Sequence, residues 1–216
     1  MVTKLVIGNK NYSSWSLRAW LLMREAGIDF EEHKILLDLP GTAAAIARFS
    51  SAGRVPVLIL DKATVWDTLA ISETLAERFP QKNLWPLDPT ARAHARSISA
   101  EMHSGFAVLR SQMPMNCRAS GRKVTMTDGL KADIDRIFAI WSDCGRRYEG
   151  GWLFGNFSIA DAMYAPIVLR LRTYGIEVPE AARAYARRLL ESAALMKWLA
   201  AAASETEVIE ADEKGL

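Results

Sequence analysis

Along the first eighty residues the apolar positions switch between two periods. Lys4-Leu5-Val6-Ile7-Gly8 is a short, partly β-branched apolar run closed by a glycine, which reads as a buried strand. Beyond a turn, Leu17, Leu21 and Leu22, with Trp20 close by, recur at helical spacing as far as Ala26, and Gly27 falls where a left-handed C-terminal cap belongs. Residues 30–36 alternate as a second strand, Pro40-Gly41 breaks the pattern, and residues 43–49 predict a short helix. Residues 54–60 read as a third strand, Asp61-Lys62 as a two-residue turn, and residues 63–66 as a fourth strand paired with the third. Asp67-Thr68 then opens a helix whose stripe is Leu69, Ile71, Leu75 and Phe79. The strand-helix-strand order suggests a parallel pair, and the tight turn adds an antiparallel edge.

The pattern changes after Phe79. Pro80, Pro86 and Pro89 punctuate a short segment, and from Thr90 the chain is Ala- and Arg-rich with almost no strand signal. Helices are predicted over residues 91–113, 128–148, 159–174, 179–190 and 193–203. The expected organisation is an α/β domain over residues 1–80, a linker over 81–89 and an all-α domain over 90–216. The acidic tail from Ser204 is expected to cover surface or fray. Ser158 and Asp161 fit a capping box at the start of a helix rich in apolar residues, a device for stability rather than chemistry.

Composition narrows the function classes. The chain has 216 residues, half of them apolar, and Lys plus Arg exceed Asp plus Glu only by 27 to 25, which gives no reason to expect a nucleic-acid partner. No apolar run approaches the roughly 18–20 residues that span a bilayer, and the first residues lack the apolar core of a signal peptide, so a cytoplasmic protein without a membrane partner is expected. Cys117 and Cys144 are far apart and outside any Cys-x-x-Cys arrangement; His33, His94 and His103 are equally scattered. Neither a metal site nor a dithiol redox centre is predicted.

Chemistry is most concentrated in the turn Asn11-Tyr12-Ser13-Ser14-Trp15-Ser16-Leu17-Arg18. Ser13 or Ser14 is the natural N-cap, and capping alone, worth about 1 kcal/mol, is the usual meaning of a serine there. A helix start also presents free N–H groups and the positive end of a dipole, which favour an anion, so two hydroxyls and several amides share one small volume. Val55-Pro56 reads most simply as a strand start. Asp67 and Thr68 are ordinary cap residues that could equally hold a zwitterionic amino-acid head, with the helix end and Thr68 on its carboxylate and Asp67 on its ammonium.

In their order and spacing these stretches resemble the cytosolic glutathione S-transferase superfamily over nearly the whole chain. The resemblance rests on Ser13-Ser14-Trp15-Ser16-Leu17-Arg18, Gly27-Ile28-Asp29-Phe30, Arg54-Val55-Pro56-Val57-Leu58, Asp67-Thr68-Leu69-Ala70-Ile71, Leu84-Trp85-Pro86-Leu87-Asp88-Pro89 and Ser158-Ile159-Ala160-Asp161. It implies a thioredoxin-like N-terminal domain followed by an all-helical one, with glutathione as co-substrate, no metal, and a homodimer. By the resemblance, Ser13 matches the serine that hydrogen-bonds the glutathione sulfur in serine-type, zeta-like members, and Ser14 is the alternative if the turn slips by one residue. Val55 would make main-chain bonds to the cysteinyl part, with Pro56 cis. Asp67 and Thr68 match the Glu/Gln-Ser pair that holds the γ-glutamyl group, and Arg54 sits near the glycyl end. There are two departures. Trp15 stands where zeta-class proteins usually have Cys, which weighs against maleylacetoacetate isomerisation, and Asp67 is one methylene shorter than the usual Glu.

The implied chemistry is physically sufficient. A thiol with a pKa near 8.5 is about 3% thiolate at pH 7, and lowering that pKa by about two units takes roughly 2.7 kcal/mol of preferential stabilisation of the anion. A charge-assisted hydrogen bond of about 1.5–3 kcal/mol and a helix dipole of about 0.3–1 kcal/mol supply it. A hydrophobic electrophile would then meet the sulfur between the domains, where Trp15, Met102, His103, Phe106 and Arg110 are the candidate lining, although Met and Phe at helical spacing are more often core. Gly105 within that helix hints at close approach by another group. The function expected is glutathione conjugation. The alternatives are a non-catalytic glutathione-binding or regulatory protein of the same fold, or a glutathione-dependent thiol reductase or peroxidase.

Overall fold

The computed structural model describes residues 3–215. β1 (Lys4–Ile7) is an interior strand of a four-stranded sheet, and Leu5, Val6 and Ile7 are fully buried on both faces, Leu5 and Ile7 in the main core and Val6 in a smaller cluster with Ile35, Ile46 and Val57. β2 (Glu31–Lys34) runs parallel to β1 with Lys4 opposite Glu31, β3 (Val57–Leu60) lies antiparallel on the other side, and β4 (Ala63–Trp66) closes a hairpin with β3. The order is β2-β1-β3-β4. α1 (Ser14–Glu25) is the crossover between the parallel pair, and Asp61, at φ 55, supplies the left-handed residue of the hairpin turn. α2 (Thr42–Ala47) and α3 (Thr68–Arg78) complete the first domain.

Two strands are shorter than their apolar runs. β2 stops at Lys34 because β1 stops at Ile7, whose carbonyl takes a last bond from the Ile35 N–H. β3 begins at Val57, the residue that faces Val6 on one side and Trp66 on the other, so residues 54–56 have no strand to pair with.

The second domain is helical: α4 (Pro89–Ser104), α5 (Ala107–Gln112), α6 (Asp128–Arg147), α7 (Ile159–Thr173), α8 (Glu180–Leu190) and α9 (Ala193–Ala203). The single helix expected over residues 91–113 is two. Gly105 leaves the helical path at φ −102 and ψ −168, and Phe106 takes the left-handed conformation at φ 61. A Cβ on Gly105 would lie 2.8 Å from the Glu101 carbonyl oxygen, so the close approach that the glycine suggested is to its own preceding turn. Arg110 caps the broken end, donating from Nε to the Gly105 carbonyl at 3.0 Å and from Nη2 to that of Met102.

α7 is buried along its length and packs on α1 and α4, which joins the two domains through one apolar core. Its N-terminus carries the expected capping box: Asp161 accepts from the Ser158 N–H at 2.8 Å and from the Leu153 N–H at 3.0 Å. The acidic tail does not fray within the described residues. The Glu205 carboxylate accepts from the Lys10 and Asn11 N–H groups at 2.9 Å each, and Tyr12 Oη donates to Glu213 at 2.6 Å.

Candidate active site

The turn after β1 is held from several sides. Asn9 turns the chain by accepting the Ser13 N–H on its carbonyl at 2.9 Å, and its side-chain oxygen takes the Leu37 N–H at 2.8 Å. Ser13 is the N-cap of α1. Its Oγ lies 3.4 Å from the Ser16 N–H and donates to Ser16 Oγ at 2.7 Å, while Ser16 Oγ accepts the Gly8 N–H at 3.0 Å. Ser14 is the first residue of α1 and is bonded differently. Its Oγ accepts from Arg170 Nη2 at 3.3 Å and its carbonyl accepts from Arg18 Nη1 at 3.1 Å. Both serines are nearly buried.

Three guanidiniums gather around this pair. Arg18, fully buried, also donates from Nε to the Met163 carbonyl at 2.9 Å, and Arg170 donates to the carbonyls of Met113 and Arg110. Burial holds Arg18 well below its usual pKa, with Arg110 and Arg170 adding to the effect, and lowers Arg170 to about 10, so Arg170 is still charged at neutral pH. Among the described residues none of Arg18, Arg110 and Arg170 forms an ion pair with a carboxylate. Arg18 and Arg110 instead stack on Trp15, at 4.6 and 4.7 Å from the ring centroid, and the His103 ring meets the same indole edge-on at 5.1 Å.

His103, from α4, also reaches across to α3, where Asp67 occupies the N-cap with φ 72. One carboxylate oxygen caps the helix, accepting from Leu69 N at 2.9 Å and Ala70 N at 3.3 Å, and the other lies 2.8 Å from His103 Nε2. Burial is the first reason that the His103 pKa lies below its ordinary value, and Arg18 and Arg110 push the same way against the pull of Asp67. A carboxylate can only accept, so Nε2 carries the proton that joins them.

Two adjoining cavities open on these groups and share Trp15, Arg54 and Val55. One, of about 450 Å³, brings together Arg54, Val55, Pro56, Asp67 and Thr68 with Trp15 and His103. The Val55-Pro56 bond is cis, and Val55 precedes the first rung of the β3 ladder, so its main-chain groups are not committed to the sheet. The other cavity, of about 500 Å³, is lined by Ser13, Ser14, Arg110 and Arg170. Ten of the twelve candidate side chains therefore border one connected cleft. Met102 and Phe106 do not: Met102 lies on the buried face of α4 with Ala95 and Ile98, and Phe106, at the break, is buried in the same core.

Sequence reasoning passed over Arg170. It sits at the end of an apolar helix, where a cation usually serves the helix dipole, and its partner Ser14 is 156 positions away. Cys117 and Cys144 are free and buried, and burial pushes both thiols up to about 12, so neither supplies a thiolate at neutral pH. Among the described residues no group of three or more His, Cys, Asp or Glu side chains is placed to hold a metal ion, and no helix is long and apolar enough to cross a membrane.

The chain is similar to known proteins over most of its length. The family model of the glutathione S-transferase N-terminal domain matches residues 12–78, and that of the C-terminal domain matches residues 88–204. A probable maleylacetoacetate isomerase of Caenorhabditis elegans is 33% identical over 174 residues, covering 76% of this chain and 77% of that protein. A stringent starvation protein A homologue of Pasteurella multocida is 22% identical over 85% of this chain and 84% of its own length. Among solved structures, a glutathione transferase homologue from Burkholderia gl BGR1 with bound glutathione has the same fold, with a TM-score of 0.71 at 23% identity, covering 94% of this chain and 98% of that one.

Proposed function

This chain belongs to the glutathione S-transferase family, and from that premise we propose that it joins the glutathione sulfur to a hydrophobic electrophile in the cleft between its domains. The observation that carries the reading is the convergence on one cleft of a helix start bearing Ser13 and Ser14 with Arg54, Val55, Asp67 and Thr68. Glutathione is the co-substrate. Its γ-glutamyl ammonium pairs with Asp67 and its carboxylate with the start of α3 and Thr68. Its cysteinyl main chain lies along Val55, its glycyl end near Arg54, and its sulfur against the Ser13-Ser14 turn.

In this mechanism the thiol proton leaves to solvent as glutathione binds, and a serine hydroxyl donates a hydrogen bond to the thiolate left behind. The sulfur lone pair forms the new S–C bond at the electrophilic carbon, and the leaving group departs with the electron pair of the bond that breaks. Serine is a donor throughout and forms no covalent intermediate. Cytoplasmic location and a homodimer, both habits of the family, belong to the same proposal.

A second reading is favoured by the cationic cavity wall and by the relatives named maleylacetoacetate isomerases. In it the thiolate adds to one carbon of an unsaturated keto acid, the former double bond rotates, and the thiolate is expelled unchanged. The two are separated by incubating the protein and glutathione with an activated aryl halide, or with an unsaturated dicarboxylic keto acid, and analysing the products. Conjugation predicts a thioether with glutathione consumed mole for mole. The second reading predicts an isomer with glutathione unspent. Glutathione binding with neither product would defeat both and leave a binding protein or a glutathione-dependent thiol reductase or peroxidase.

A further inference from the structure

We infer that Arg170 is a positioning residue of the thiolate site: it takes the oxygen of the Ser14 hydroxyl, leaving Ser14 rather than Ser13 to donate its proton to the glutathione sulfur, an assignment that rests on the transferase reading above. The two serines differ in what their hydroxyls already do. Ser13 Oγ is paired with Ser16 Oγ at 2.7 Å and faces the Ser16 N–H at 3.4 Å, and Ser16 Oγ is itself anchored by the Gly8 N–H at 3.0 Å, so the Ser13 hydroxyl is engaged inside the turn. Among the described residues Ser14 Oγ has one hydrogen-bond partner, Arg170 Nη2 at 3.3 Å. A guanidinium has donors and no acceptor, so this bond uses a lone pair of Ser14 and leaves its proton for whatever occupies the cavity. A hydroxyl that accepts from a cation is also polarised into a stronger donor.

Arg170 is built to stay where it is. It is 4% exposed, its Nη1 is tied to the Met113 and Arg110 carbonyls, and its Nε is buried without a hydrogen-bond partner among the described residues. The ionisable groups whose fields reach it are Arg110 and Arg18, which oppose its charge, and Asp212, Tyr174 and Cys117, which favour it. Burial raises the Tyr174 and Cys117 pKa values, which keeps both neutral, so the carboxylates that offset the three guanidiniums of Arg18, Arg110 and Arg170 are Asp212 near Arg170 and Asp133 near Arg110. A guanidinium kept in the interior without an ion-pair partner is costly. An anion at Ser14 gives that charge a use. Ser14 is also fixed through its main chain by Arg18, and it lies at the positive end of α1.

The test is an ultraviolet difference titration of glutathione bound to the whole protein, with S-methylglutathione binding measured alongside as a ligand that has no thiol to ionise. Arg170→Met is expected to raise the thiol midpoint by about one pH unit while S-methylglutathione affinity holds within about threefold, less than 1 kcal/mol. Arg170→Lys, which keeps charge and donor, is expected to recover most of the shift. Ser14→Ala is expected to raise the midpoint more than Ser13→Ala does, and adding Arg170→Met to Ser14→Ala to raise it little further. Equal loss of S-methylglutathione binding, an unmoved midpoint in Arg170→Met, or additive shifts in the double variant would overturn the inference. If Arg170→Met does not fold, a larger shift from Ser13→Ala than from Ser14→Ala overturns it without any Arg170 variant. A wild-type midpoint near the free value of about 8.5 defeats the transferase reading as well. A lowered wild-type midpoint that Arg170→Met leaves in place defeats this inference alone.

Discussion

Asp67 does three things with one short side chain: it caps α3, it anchors His103 from the other domain, and in the proposed complex it faces the γ-glutamyl ammonium. Its φ of 72 also restricts what can replace it, since Asn and Asp accept the left-handed region far better than other non-glycine residues. Asp67→Asn therefore separates the roles. Asparagine caps as well as aspartate but carries no charge. The expected result is thermal stability within about 2 °C of wild type, with glutathione affinity, read by calorimetry, weakened about tenfold, the loss of one charge-assisted bond. Unchanged affinity would remove Asp67 from the binding site. At this scale the sequence picked out residues that border the cleft wherever a residue's chemistry and its place in a local motif coincide, as at Ser13, Ser14, Asp67 and Thr68. Arg170 was not legible, because nothing near it in the chain says that a helix end packs against a turn in the other domain. Met102 and Phe106 were misplaced for a related reason: helical spacing says that two side chains share a face, not whether that face meets a cleft or a core.

Among the elements, the break between α4 and α5 matters most for the site. It puts Arg110 where it can cap α4 and stack on Trp15, and it leaves His103 on the last turn of α4 facing Asp67. A single glycine cost too little in the apolar pattern to announce the break, although Gly105-Phe106 marked its position. The capping box of α7, in contrast, was legible in full, because Ser158 and Asp161 and their spacing are the whole device. Asp161 is fully buried and takes the Leu153 N–H as well as the Ser158 groups. Asp161→Ala leaves at least two buried N–H donors unpaired, each costing about 1–3 kcal/mol, so a loss of roughly 2–6 kcal/mol in denaturant unfolding is expected. A loss below about 1 kcal/mol would show that water or a shifted backbone satisfies those donors.

In the whole molecule, each domain lines part of the cleft. The first supplies the α1 start, Val55 and the α3 start; the second supplies Arg170, Arg110 and His103 to fix them. The acidic tail adds a further tie by binding the turn that precedes Ser13 through Glu205. The order of the two domains was legible, since a change from alternating to helical periods marks it directly. The way they share one cleft was not, because pairings such as Asp67 with His103 or Ser14 with Arg170 have no local signature. The account as a whole claims that this cleft turns a thiol into a thiolate at neutral pH. Titrating glutathione bound to the wild-type protein by its thiolate absorbance tests that claim most directly. The predicted midpoint lies about two units below the 8.5 of a free thiol; a midpoint at the free value, or no bound glutathione to titrate, would contradict it.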